Sequence, residues 1–330
     1  MDALPDDVIL AITEHLDISS MLKLAETNKR MHSIMIVYER SVMGHHMAGF
    51  TLPPTGDVFS SELFLRRPLR YASPEMVKEL EKRDFRIDDI LRNSTFINLV
   101  SPPQFDVLHI VLNIDQQERL YCLLKRAMSQ CDHIADIAAN APCKPVYWRW
   151  YGRLNQYYFE RHDLLPGFRA NDPYTNYHAR PHQRQYISGL PIENVAMLYY
   201  LVNTLSIGFL KSCAAHSDSD PAIFERTTVF EDSVLRHGSW FAWAHIRGDP
   251  AWSKMASKIN EVALIELTNY ETGLEGTLPG LKSALLDRVK ELTKRKNLFK
   301  AMFAVVNKLV TGAGNDGEED EETDEDENWG

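Results

Sequence analysis

Cysteine is scarce. The chain's 330 residues hold only Cys122, Cys131, Cys143 and Cys213, with no Cys-x-x-Cys pair. Thiols this sparse exclude a disulfide framework and fit a reducing compartment. Long hydrophobic runs are missing too. The longest uncharged apolar stretch, Val195 to Leu210, is 16 residues and includes Asn203, Thr204, Ser206 and Gly208. It is short for a membrane span and predicts a buried helix instead. Asp2 stands where a signal peptide carries Lys or Arg, so the expected location is cytoplasmic or nuclear. Without secretion, the glycosylation acceptor Asn93-Ser94-Thr95 carries no meaning. No internal period of roughly 20 to 50 residues recurs, which excludes leucine-rich, WD, kelch and ankyrin-type arrays. The phosphate-cradling Gly-x-x-x-x-Gly-Lys loop, the Gly-x-Ser-x-Gly elbow and His-Glu-x-x-His are all absent. No catalytic residue, cofactor or resident metal is therefore assigned.

Excess charge is also missing from most of the chain. The formal net charge is −10, but ten of the 46 acids lie between Asp316 and Glu327, a stretch with no Lys or Arg. The other 36 acids equal the 36 bases. A neutral body gives no electrostatic reason to expect nucleic acid or a membrane surface as partner. The acid run, residues 312–330 with its Gly-rich lead, cannot bury enough apolar surface to order itself. It reads as a disordered, solubilising tail, or as a segment that attracts a basic partner or folds back on Lys294-Arg295-Lys296.

What is present is a helical period. Leu120, Leu123, Leu124, Ala127, Met128, Cys131, Ile134, Ala135 and Ala138 recur at steps of three and four, with Asp115 as N-cap and Pro142 beyond the end. The same steps join Leu198, Leu201, Val202, Leu205 and Phe209. They return in Met255, Ile259, Val262, Ala263 and Glu266, then in Leu281, Leu285, Val289 and Leu292, and lastly in Met302, Val305, Val306 and Leu309. Strand-like alternation is hard to find, so the fold class is mostly or wholly α. Breaks fall at residues 49–57, at 99–104, and from His162 to Pro191, where Pro166, Pro173, Pro181 and Pro191 predict a long polar loop. The implied organisation is an N-terminal unit 1–48, a linker 49–75, an irregular α-helical domain 76–311 and the tail.

The N-terminal unit begins with Leu4-Pro5 and two acids that favour a helix start. Leu4, Val8, Ile12 and Leu16 step by four into one stripe, which Ile9 widens. Asp17-Ile18-Ser19-Ser20 supplies a turn and cap for a second helix through Met21, Leu22, Leu24 and Ala25. Asn28 caps a third, with apolar Met31, Ile34, Met35 and Val37. Three helices this small bury little of each other, so apolar surface left outside marks an interaction face.

This order resembles an F-box: Leu4-Pro5, two acids, Val8-Ile9, Ile12, Leu16-Asp17, Leu22-Lys23-Leu24-Ala25 and Asn28-Lys29-Arg30-Met31-His32. The motif docks on the Skp-type adaptor of cullin-based ubiquitin ligases. Two positions depart from it. Glu26-Thr27 replaces a common Val-Ser pair, and the third helix has Met31 and His32 near its usual Trp or Tyr. The resemblance implies that Leu4, Pro5, Val8, Ile9, Ile12, Leu16, Leu22 and Leu24 pack partly on the adaptor and partly within the unit. It also implies that the chain is a non-catalytic substrate receptor, its body presenting an unknown protein for ubiquitination. The alternatives are an adaptor-binding protein outside any ligase, a hairpin covering the body's own core, and an all-α enzyme with an unrecognised site.

Few residues in the body suggest chemistry. His178 and His182 are four apart, but Pro181 places them in a loop, and Cys122, Cys131, His133 and Cys143 read as core rather than zinc ligands. Residues 146–168 interleave Tyr147, Trp148, Trp150 and Tyr151 with Arg149 and Arg153, a mixture favoured at binding hot spots and equally at home in a core. Trp240, Phe241, Trp243 and Trp252 around His245 read as packing. Substrate contact is expected at Trp148 and Trp150 and at loop arginines Arg169, Arg180 and Arg184, which suit an acidic or phosphorylated segment.

Overall fold

Apolar spacing and capping chemistry set the helix boundaries in the computed structural model, which describes residues 4–61, 67–94, 96–99, 111–141, 176–214, 223–248, 250–274, 277–294 and 297–312. Among these residues lie twelve α-helices. The first five are α1 (Asp6–His15), α2 (Ile18–Thr27), α3 (Lys29–Ala48), α4 (Pro74–Arg92) and α5 (Ile114–Asn140). There follow α6 (Arg180–Ser188), α7 (Ile192–Ala214), α8 (Ile223–His237), α9 (Ser239–Arg247), α10 (Pro250–Glu271), α11 (Leu281–Thr293) and α12 (Leu298–Thr311). The mostly-α expectation holds. The two strands, β1 (Val58–Phe59) and β2 (Pro68–Leu69), pair antiparallel with Val58 opposite Leu69.

Side-chain caps start many of the helices. Asp17 accepts from Ser20 N ahead of α2, and Asn28 accepts from Arg30 N and Met31 N ahead of α3, as their sequence positions predict. At α5 the expected cap is corrected. Asn113, not Asp115, accepts from Gln116 N, and the Gln116 side chain returns a bond to Asn113 N. This reciprocal box satisfies two otherwise orphaned donors, whereas Asp115 lies within the first turn, where its charge favours the helix dipole.

Two helices organise the body. α5 packs against α4, α6, α7 and α8, and α7 packs against α5, α8, α11 and α12. Their shared core includes Leu124, Met128, Cys131, Ile134, Leu198, Leu201, Leu205, Phe230, Phe241, Leu285 and Met302. The 16-residue apolar stretch is the buried heart of α7. Its Thr204 and Ser206 hydroxyls donate to the carbonyls of Tyr200 and Asn203, which satisfies both hydroxyl protons inside the helix.

The loop expected from His162 to Pro191 is corrected over its second half. Residues 177–179 form a 3-10 turn that leads into α6. Pro181 sits in the first turn of α6, where the missing N–H costs nothing, and Pro191 immediately precedes α7. The prolines therefore bound the helices rather than prevent them.

Buried ions tie these helices together. Arg83 of α4 forms a two-pronged pair with Asp136 of α5 at 2.6 and 2.8 Å, and Arg86 meets Glu79 at 2.9 Å. Arg180 and Arg236 share Glu266 at 2.9 and 2.7 Å, joining α6, α8 and α10. Burial alone raises the pKa of Glu79, but Arg86 and Arg83 outweigh it and hold the carboxyl below its usual range. At Asp232 burial is likewise outweighed by Arg236 and Arg180. Removing one partner leaves a charge in a low-dielectric interior, which is where such pairs become costly.

Candidate docking surface

The three N-terminal helices resolve the stripe into inward and outward residues. Ile9, Met31 and Ile34 form a small core that Leu4, Leu10 and Leu24 cover. Leu16 and Leu22 turn instead toward a second core shared with the body. Leu4, Ile9, Leu16, Leu22 and Leu24, expected to divide between the adaptor and the unit's own interior, thus have packing roles inside this chain; Ile9 in particular is 2% exposed. Pro5 is exposed, and Val8 and Ile12, one turn apart on α1, keep 40% and 38% of their surface in solvent. On α3, Ile36 and Val37 are exposed at 62% and 72%.

Polar contacts fix α1 on α3 at both ends. Arg30 donates to Leu4 O at 2.6 Å and pairs with Asp6 at 2.5 Å. Near the other end, His46 Nε2 lies 3.3 Å from Thr13 O. The unit is also seated on the body. Met21 of α2 and Met43 and Met47 of α3 pack with Met76, Val77 and Leu80 of α4, and with Val58, Leu69 and Ala72 from the connecting segment. Residues 49–75, read from sequence as a linker, therefore carry the two strands and part of a core.

That segment is held on α5 by side chains acting on its backbone. Asn140 accepts from Asp57 N at 3.0 Å and donates to Asp57 O at 2.8 Å. Two residues on, Phe59 N donates to Asp136 at 3.0 Å, and Phe59 O accepts from Arg83 at 2.8 Å. Gly56 permits this approach, since a Cβ there would lie 2.7 Å from Asn140 Oδ1. Between Pro54–Asp57 and α5 a cleft of about 310 Å3 remains open, with His182 of α6 on its far side. Sequence reasoning missed it. Its only trace was the Pro-Pro-Thr-Gly-Asp turn, which signals a loop but not where the loop rests.

The residues expected to hold a substrate separate into three cases. Trp148, Trp150 and Arg169 lie outside the described residues, as do the other aromatic and arginine residues of 146–168. Arg180 is corrected: it is 1% exposed and committed to Glu266, so a docked protein does not reach it. Arg184 is half-buried, donating to Gly280 O at 2.7 Å with Asp287 at 3.7 Å. His178 and His182 are likewise not on a loop. His178 sits in the 3-10 turn with Nε2 3.1 Å from Ala138 O, and His182 is exposed on α6. Burial pushes the His178 pKa down, and it does the same at His133 against the opposing pull of Asp136. No three His, Cys, Asp or Glu side chains among the described residues are placed to hold a metal ion. Cys131 is a fully buried core thiol whose pKa burial raises, and Cys122 is exposed.

Comparison with known proteins leaves the surface to speak through its geometry alone. No protein-family model matches the chain, and no curated protein or solved structure matches it either.

Proposed function

We propose that α1–α3 form an F-box-like unit docking a Skp-type adaptor, and that the chain is the substrate receptor of a cullin-based ubiquitin ligase. One observation carries this reading. α1 has satisfied its inner face with Ile9 and Thr13, yet Val8 and Ile12 stand side by side in solvent beside Pro5. Fully burying an aliphatic side chain of this size contributes about 1.5 to 3 kcal/mol, so a partner covering this ridge gains appreciably. The Leu4-Pro5 start and the ordered apolar positions that follow it are the sequence support for naming that partner.

The division of residues makes the test clean. Val8→Asp and Ile12→Asp alter exposed positions and leave the internal cores untouched. Each should weaken capture of a purified Skp-type adaptor by at least about tenfold with an unchanged unfolding midpoint. Capture equal to wild type by both variants overturns the reading. Co-purified cullin supports the ligase assignment, while adaptor without cullin assigns the complex to a role outside it.

A further inference from the structure

The cleft beside Asp57 has a charge sense opposite to the one expected for substrate contact. The two candidate arginines among the described residues are spent internally: Arg180 on Glu266, Arg184 on Gly280 O. On the cleft floor the Asp136 carboxylate is engaged by both prongs of Arg83. Asp57 is different. One of its oxygens accepts from Tyr71 N at 2.7 Å, which orients the group, and no partner for the other is found among the described residues. Among the residues that line this cleft, the unspent charge thus belongs to a fixed carboxylate.

We propose that this cleft receives the side chain of a Lys or Arg from a segment of a partner protein. Four features fit that occupant. The cleft is preformed, because Asn140 clamps both backbone groups of Asp57. Its volume, about 310 Å3, lies at the small end of ligand pockets, enough for one long side chain rather than a cofactor. Pro54, Ile137 and Ala141 offer apolar wall to a methylene stem, and Asp57 and the His133 imidazole offer acceptors to its cationic tip. Finally, the described residues provide no three-ligand metal set, which favours a cation carried on an organic chain over a bare ion. The inference goes beyond adaptor docking and stands whether or not anything binds α1.

The experiment titrates the full chain, labelled with 13C in its histidine rings, using acetyl-lysine methylamide and acetyl-arginine methylamide as probes, with neutral acetyl-norleucine methylamide as control. The cationic probes should shift the His133 and His182 resonances selectively and to saturation, and the norleucine probe should not. Asp57→Asn keeps an oxygen for Tyr71 N while removing the charge. It should weaken binding by about tenfold at an unchanged unfolding midpoint. His182→Ala, at an exposed position, should also weaken it. No selective shift, an equal shift with norleucine, or wild-type affinity in Asp57→Asn overturns the proposal.

Discussion

His245 illustrates how far a residue's surroundings reset its chemistry. Its ring lies among Phe209, Phe230 and Phe241 at centroid distances of 5.6, 5.4 and 4.9 Å, with Asn260 3.3 Å from Nε2. Burial there lowers its pKa to about 4. Because the folded-state value lies below the unfolded one near 6.5, the unfolded chain binds the proton more readily, and stability falls as pH drops from about 6.5 toward 4. This group should cost about 2.5 kcal/mol across that window. Urea unfolding at successive pH values checks it: His245→Gln should flatten the slope between pH 6.5 and 4, and an unchanged slope would assign the loss to other groups. Of this aromatic company only Phe241 was legible in the sequence; Phe209 and Phe230 arrive from α7 and α8, while Trp240 and Trp243, read from sequence beside His245, pack on Trp252. The ion pairs were not legible. Glu79, Arg83, Arg86 and Asp136 look like a solvated helix face until a partner helix is laid over them.

At the scale of elements, the turn between α8 and α9 depends on one glycine. Gly238 has φ 73° and ψ −157°, a region that side chains other than hydrogen rarely enter, and a Cβ there would overlap the Asp132 carboxylate. Asp132 accepts from Ser239 N at 2.7 Å and from the Ser239 hydroxyl, so the same contact anchors the start of α9 on α5. Gly238→Ala should destabilise the fold by about 3 kcal/mol or more. Gly248→Ala has a similar φ of 64° but open space around it, and should cost only about 1 kcal/mol. Chemical unfolding of the two variants side by side separates steric conflict from backbone strain. Long amphipathic helices and the caps Asp17 and Asn28 were readable because each rests on a local pattern. α6 was not, since it is short and its buried positions include Arg180 and Gln183, which resemble surface residues. Strands of two residues likewise fall below any alternation that a sequence can display.

For the whole molecule, the decisive feature is that the N-terminal unit has two cores and owns only one of them. The core around Ile9 is internal, but Met21, Met43 and Met47 are completed by α4 and the segment before it. A fragment of residues 1–48 should therefore show little stable helix by circular dichroism, while the same residues in the full chain unfold together with the body. A fragment with full helicity and a sharp melt would show the unit to be autonomous. The boundary near residue 48 was read from the Gly- and Pro-containing break at residues 49–57, and such a break does not report which faces meet. The connecting segment adds a last consequence. Ser60 N bonds to Arg67 O on the β2 side, while Asp57 and Phe59 offer their backbone groups on the other side to Asn140, Asp136 and Arg83. A strand's unpaired edge is an invitation to foreign chains. In β1 one edge is taken by a strand and the other by three side chains, so a passing polypeptide finds no ladder there to extend.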